Sequence, residues 1–321
     1  MLSDYSAAQN LQTRARQDTK DPKGVPSAPD HLTRIGKSLI SGGRVNLARF
    51  EDLRESGILF KTDGVVQQVN PAATKLTSLI LDDFVVSALQ KDPLAQFVLT
   101  PEGGCPELAP WRTAIGGIEV SKTTVYFRHK EGYVFPVTSA ALPIVGGGGQ
   151  LEGAIQLFEQ TTSNSRRRRI EFMDPQESFH YRLFSELERP EIRLVRRELL
   201  ATLGSRQKFG VMVARLTNHD ALAANFGQDG RAEALAVLGE TMRQCLRSTD
   251  LVVQWADDRY LICLRIQDEA DLETVRARMR LVLPWMRMSW WGKQYEIECG
   301  MTNRLVSAGD KLEEVDYWAR S

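Results

Sequence analysis

Arg247-Ser248-Thr249-Asp250-Leu251-Val252-Val253-Gln254-Trp255-Ala256-Asp257-Asp258-Arg259-Tyr260-Leu261-Ile262-Cys263-Leu264-Arg265 carries more of the architecture than any other segment. Two apolar runs flank the acidic pair Asp257-Asp258, so the spacing predicts a hairpin over residues 251–265. Upstream, helical periodicity covers Ser178 to Leu203, a strand fits Phe209 to Leu216, and a helix fits Gly230 to Leu246. Downstream the pattern predicts a helix from Asp271 to Met288, a strand from Gln294 to Met301 and a short helix from Lys311 to Ala319. Helices and strands alternating around a hairpin predict a central sheet surrounded by helices.

The first half of the chain has another rhythm. Residues 1–30 are polar, with Lys20-Asp21-Pro22-Lys23-Gly24 and Pro26 and Pro29 favouring neither helix nor strand, and read as a disordered tail. Residues 31–56 read as a helical lead-in, its apolar positions Leu32, Ile35, Leu39, Leu47, Phe50 and Leu53 interrupted by Gly42-Gly43. Short strands follow at Ile58 to Lys61 and Val65 to Val69 around the turn Asp63-Gly64. Asn70-Pro71 then signals a helix start, because asparagine caps and proline suits the first turn. Strands return at Thr123 to His129, Tyr133 to Leu142 and Gln150 to Glu159. The expected fold class is α+β in two domains, an antiparallel sheet with flanking helices and then the central sheet.

Composition narrows the function classes. The 41 basic and 41 acidic residues cancel across 321 positions, so no global field draws the chain to nucleic acid or to a membrane surface. The four cysteines, Cys105, Cys245, Cys263 and Cys299, lack metal spacing and read as reduced core residues. No apolar stretch is long enough to span a bilayer, and Met1-Leu2-Ser3-Asp4-Tyr5 lacks a signal peptide's apolar core, which predicts a cytoplasmic protein. The four arginines 166–169 in the basic linker 163–173 read as a solvated connector.

Gly57-Ile58-Leu59-Phe60, Asp63-Gly64-Val65-Val66 and Val69-Asn70-Pro71-Ala72-Ala73 together resemble the opening of a PAS domain. Phe127-Arg128-His129-Lys130-Glu131-Gly132-Tyr133-Val134-Phe135-Pro136-Val137 is similar to its late hairpin, and the resemblance places a PAS sensor over residues 57–162. Such domains bind haem, flavin or metabolites between sheet and helices, or dimerise without a ligand. His129 sits beside a turn whose side chains are expected to face water, so it does not read as a haem ligand. Trp111, Phe97, Tyr126, Phe135 and Phe158 read as core, and the PAS ligand stays unknown.

Residues 174–321 resemble a GGDEF domain, the fold that condenses two GTP molecules into cyclic di-GMP. Phe209 to Leu216 looks like its first core strand and Asn225-Phe226-Gly227-Gln228 like the turn before its long helix. Ala256-Asp257-Asp258-Arg259-Tyr260 falls where Gly-Gly-Asp-Glu-Phe is expected. The family reaction needs carboxylates that hold two magnesium ions against the triphosphate. The resemblance puts two of those ligands at Arg215 and Arg259, leaving Asp258 as the carboxylate, and puts Ala256 and Asp257 at the glycines. Ala223 and Ala232 replace the guanine-reading asparagine and aspartate. These replacements imply a degenerate, non-catalytic domain without a metal site.

The family's product-binding motif, Arg-x-x-Asp five residues before the signature, is matched by Arg247 and Asp250, and a further family arginine aligns with Arg278. An arginine fork can grip guanine and phosphate, and an aspartate can accept guanine N–H groups. The resemblance therefore implies a cyclic di-GMP site at Arg247, Asp250 and Arg278. Asp250 also suits a plain turn-holding role, and Arg276, Arg278 and Arg280 suit a solvated helix face. The expected partners are cyclic di-GMP, a signalling protein and a second copy through the PAS domain. Two other readings stay open, a nucleotide-independent scaffold and a residual cyclase.

Overall fold

The computed structural model describes residues 30–83, 98–99, 109–160, 209–247, 249–266, 268–291, 293–306, 310 and 318. The expected tail, the helix at Ser178 to Leu203, the linker 163–173 and most of the terminal helix at Lys311 to Ala319 lie outside these residues.

The first unit begins with α1 (His31–Leu39), whose N-cap Asp30 accepts the Thr33 amide. Gly42 and Gly43 adopt left-handed φ of 56° and 77° and turn the small hairpin β1 (Ile40–Ser41) and β2 (Arg44–Val45). After α2 (Leu47–Glu51) come β3 (Ser56–Lys61), β4 (Val66–Val69) and α3 (Pro71–Thr77). Asn70 starts α3 as the sequence predicts, its Oδ1 accepting the Ala73 amide and the Gly57 amide. One buried side chain thereby caps a helix and ties it to the strand beside it. The remaining elements are β5 (Val98–Leu99), α4 (Pro110–Ile115), β6 (Val120–Arg128), β7 (Val134–Val145) and β8 (Leu151–Gln160).

These strands form a six-stranded antiparallel sheet in the order β4-β3-β8-β7-β6-β5. Its two faces are both covered, as alternate residues show. Phe60, Phe127, Phe135, Phe158 and Trp111 fill one side under α3 and α4, where Phe60 stacks on Trp111 at 4.9 Å. Leu59, Leu142, Ile155 and Leu157 pack with Leu32, Leu39 and Phe50 of the lead-in helices on the other.

The second unit contains β9 (Phe209–Leu216), α5 (His219–Cys245), β10 (Leu251–Ala256), β11 (Arg259–Arg265), α6 (Glu269–Val282), β12 (Arg287–Trp290), β13 (Lys293–Glu296) and β14 (Cys299–Val306). Its main sheet runs β10-β11-β9-β14, all antiparallel. The hairpin 251–265 and the strand 209–216 stand where the sequence puts them. Two helical segments make up α5 and meet at Gly227, whose φ 74° and ψ −173° are not helical, so the chain breaks within the expected turn Asn225–Gln228 and a further helical segment from His219 precedes it.

Two other boundaries differ. Helix α6 ends at Val282, not Met288, because Pro284 leads into a single 3-10 turn. The segment that follows pairs as a hairpin, Arg287 with Glu296 and Trp290 with Lys293, so the one strand expected at Gln294 to Met301 is split between β13 and β14. The tryptophans divide accordingly. Trp285 and Trp290 pack against the core, while Trp291 at the hairpin tip is 91% exposed.

The two units touch. Tyr126 and Val134 of the first unit belong to the largest apolar cluster of the second, beside Met242, Cys245 and Leu246. Tyr126, expected in the PAS core, thus fills the junction instead. His129 is a correction as well: it is only 7% exposed, and its ring stacks on Tyr133 at 4.4 Å. Among the described residues no helix is long and apolar enough to cross a membrane.

Candidate functional site

The antiparallel ladder between β9 and β11 sets Arg215 directly opposite Arg259. Two guanidinium groups on adjacent strands would repel each other without an anion between them. Asp258, in the turn before β11, supplies it. Arg215 Nε donates to Asp258 Oδ2 at 2.7 Å, and Arg259 donates from Nε to Oδ1 at 2.9 Å and from Nη2 to Oδ2 at 3.2 Å. The Asp258 carbonyl accepts the Leu216 amide at 2.8 Å, so its backbone is tied to the same strand. Burial pushes the Asp258 carboxyl up, but the hydrogen bonds from Arg259 and Arg215 outweigh it and leave it below its ordinary value.

Beside this clamp Arg231 on α5 faces Asp257 at 3.6 Å. Ala256 ends β10 at a register shift, opposite Arg259. Ala223 and Ala232 lie on either side of the Gly227 kink, and neither carries a side-chain hydrogen-bonding group. Chemically the arrangement is an ion-pair cluster. A guanidinium has no acceptor for a cation, and both oxygens of Asp258 already accept, so these donors do not fit a pair of magnesium ions.

The second candidate constellation is built by the turn between α5 and β10. Asp250 is buried and its Oδ2 accepts the Arg247 amide at 2.9 Å, while the Asp250 amide donates to the Arg247 carbonyl at 3.0 Å. The turn-holding role of Asp250 is thus real, and it leaves the Arg247 side chain exposed. Arg278 comes from another element, α6, and its Nε is buried with no hydrogen-bond partner among the described residues. It stands close enough to Tyr126 to act on the phenol: burial pushes that group up, Cys245 adds to the rise, and the Arg278 charge pulls it back. Arg247 and Asp250 are brought together by their turn, and no bond joins Arg278 to either among those described.

A third feature went unpredicted. A cleft of about 490 Å³ is lined by Asn218, Ala221, Leu222, Asn225, Phe226, Tyr295 and Glu296. Phe226 and Tyr295 meet there at 4.5 Å. Its signal lay in the Asn225-Phe226 pair, which the sequence suggests as a turn but which continues the first turns of α5. Arg231 was missed because its partner Asp257 lies far away in sequence. Among the described residues no group of three or more His, Cys, Asp or Glu side chains is placed to hold a metal ion.

Against known proteins, residues 193–314 match the family described as diguanylate cyclase, GGDEF domain. No curated protein matches the chain. Solved structures similar to it include the diguanylate cyclase SiaD of Pseudomonas aeruginosa in complex with its activator SiaC, at 15% identity and a TM-score of 0.38, covering 45% of this chain and 60% of that one. This chain therefore spans less than two thirds of SiaD. A PAS domain of a protein from Colwellia psychrerythraea is similar at 15% identity and a TM-score of 0.29, covering 36% of this chain and 93% of that one. The GGDEF domain of DgcB from Caulobacter crescentus, in complex with c-di-GMP, is similar at 9% identity and a TM-score of 0.35, covering 40% and 77%. The matched residues 193–314 cover the described strands and helices of the second unit, which is similar to a GGDEF domain.

Proposed function

We propose that this chain is a non-catalytic cyclic di-GMP signalling protein, in which a PAS-type first unit supplies the input and the GGDEF-type second unit binds cyclic di-GMP through Arg247, Asp250 and Arg278. Binding to a protein partner follows from that state. The observation that carries the non-catalytic reading is the clamp of Arg215 and Arg259 on Asp258. Where the reaction requires carboxylates to gather two magnesium ions, this chain presents two fixed cations on one carboxylate. Arg215 and Arg259 would repel the metal that the triphosphate brings.

The reading of the ligand rests on the exposed Arg247 side chain and the unpartnered Nε of Arg278, each presented from a fixed backbone. A cytoplasmic location and a homodimer through the first unit belong to the same proposal. The buried Asp250, committed to the Arg247 amide, favours a second reading in which both units serve only as a scaffold.

Isothermal titration of the full chain with cyclic di-GMP, and separately with GTP and magnesium, separates the readings. Micromolar cyclic di-GMP binding that disappears in Arg247→Ala supports the receptor. Absence of binding leaves the scaffold, and turnover of GTP to cyclic di-GMP would overturn both.

A further inference from the structure

The last two turns of α5 present Thr241, Gln244 and Cys245 on one face, at the spacing that makes helix positions neighbours. All three bond to the first unit. The Val134 amide donates to Thr241 Oγ1 at 3.2 Å, Cys245 Sγ donates to the Val134 carbonyl at 3.6 Å, and Gln160 Nε2 donates to Gln244 Oε1 at 2.8 Å. Val134 and Thr241 are both wholly buried, so breaking this bond without separating the surfaces would strand polar backbone in an apolar setting.

The turn of the β6–β7 hairpin makes a second attachment. The Arg287 amide donates to the Gly132 carbonyl at 3.2 Å. Gly132 has φ +95°, and a Cβ added there would overlap the Arg287 carbonyl. Only glycine allows this approach of two backbones. Around these bonds Tyr126 and Val134 complete the apolar cluster of the second unit, with Tyr133 packed against it. Arg247 follows Cys245 by two residues, so the hairpin grips the helix end from which the Arg247–Asp250 turn emerges.

We propose that the β6–β7 hairpin of the first unit is an intramolecular latch that fixes the end of α5, so that a change in the first unit's sheet reaches the Arg247–Asp250 turn directly through this contact. The latch stands on its own geometry. Its coupling to cyclic di-GMP rests on the functional reading given above. Linkage makes that coupling reciprocal: a ligand that orders the turn also stabilises the latched hairpin.

Hydrogen–deuterium exchange on the full chain tests the latch with two substitutions. Gly132→Val forces the hairpin off Arg287, and Thr241→Val keeps the shape of the side chain but removes the acceptor for the Val134 amide. In Gly132→Val, residues 241–250 exchange about tenfold faster than in the parent chain, while 151–160 keep their protection and so report an intact first unit. In Thr241→Val a smaller acceleration appears in 128–134, across the contact from the substitution. Unchanged exchange in 241–250 when 128–134 has opened overturns the latch. If Gly132→Val instead loses protection in 151–160, Thr241→Val decides, and unchanged exchange in 128–134 overturns it. Adding cyclic di-GMP to the parent chain raises protection in 128–134. Binding seen by calorimetry with no such change removes the coupling, whereas no binding at all sinks the functional reading and leaves the two variants to judge the latch.

Discussion

Two places in the second unit set arginine beside aspartate, and they use the same chemistry in opposite ways. Where β9 ends and β11 begins, the carboxylate of Asp258 is taken up by the side chains of Arg215 and Arg259. At the end of α5 the carboxylate of Asp250 accepts the Arg247 backbone amide, and the Arg247 residue is exposed. A ladder that puts two arginines face to face needs an internal anion, so it closes on itself. A turn that holds its aspartate through an amide keeps its arginine at the surface. Residue type alone does not separate a structural ion pair from a binding site; the backbone that presents each charge does.

The largest effect should come from removing the anion of the closed cluster. Asp258→Ala leaves Arg215 and Arg259 opposed and uncompensated, and should lower stability by about 2–3 kcal/mol in urea unfolding, short of a fully buried pair because the Arg215 side chain is 43% exposed. A loss under about 0.5 kcal/mol would make the clamp a surface ion pair.

Next, Arg247→Ala should weaken cyclic di-GMP binding at least about tenfold by calorimetry, as loss of a charge-assisted contact does. Arg215→Ala should leave that affinity within about twofold. If the two variants weakened binding alike, the contrast between the clusters would collapse.

A smaller effect is expected for Asp250→Ala, about 1 kcal/mol of stability from the lost bond to the Arg247 amide, read as a lower Tm.

The smallest is a pH dependence. The Asp258 carboxyl ionises below its ordinary value of about 3.9, so in acid the unfolded chain holds more protons than the folded one. Its contribution is present above that ordinary value and is lost as pH falls through the folded one. The decline of Tm below about pH 4 should therefore be shallower in Asp258→Asn. His129 adds a term of the same sign at higher pH: burial lowers its imidazole, with Glu131 and Glu240 pulling part of the way back, so its contribution fades as pH falls below about 6.5.

Much of the fold was legible because its signals are local. Phe209 to Leu216 is an apolar run of strand length, Asn70-Pro71 is a cap followed by a first helical turn, and Asp257-Asp258 divides two apolar runs. Each depends on residues a few positions apart. The helix end at Val282 was overrun because Leu283, Trp285, Met286 and Met288 continue an apolar pattern that fits helix or strand, and pairing with β13 decides between them.

The resemblance singled out Arg215, Asp258 and Arg259, but neither that the ladder would set the two arginines face to face nor that Asp258 would bridge them. His129 and Tyr126 were misjudged for a related reason. Alternation along a strand tells which residues share a face, and it does not tell which neighbour covers that face. Here the cover for Tyr126 includes Met242, Cys245 and Leu246, far away in sequence.

The order β10-β11-β9-β14 has a consequence for how the chain is made. β9 is translated first of these strands yet lies between two others, and one of its edges is completed only by β14, where Val306 pairs with Phe209. The first unit faces no such delay across the domain boundary, since β8 slots between β3 and β7 before β9 is translated. On the ribosome, then, the first unit's sheet can close early while Val211 and Val213 wait beside an open edge that another nascent chain could occupy. The hairpin of the finished first unit is in place ahead of the helix it receives, a template already set when α5 emerges.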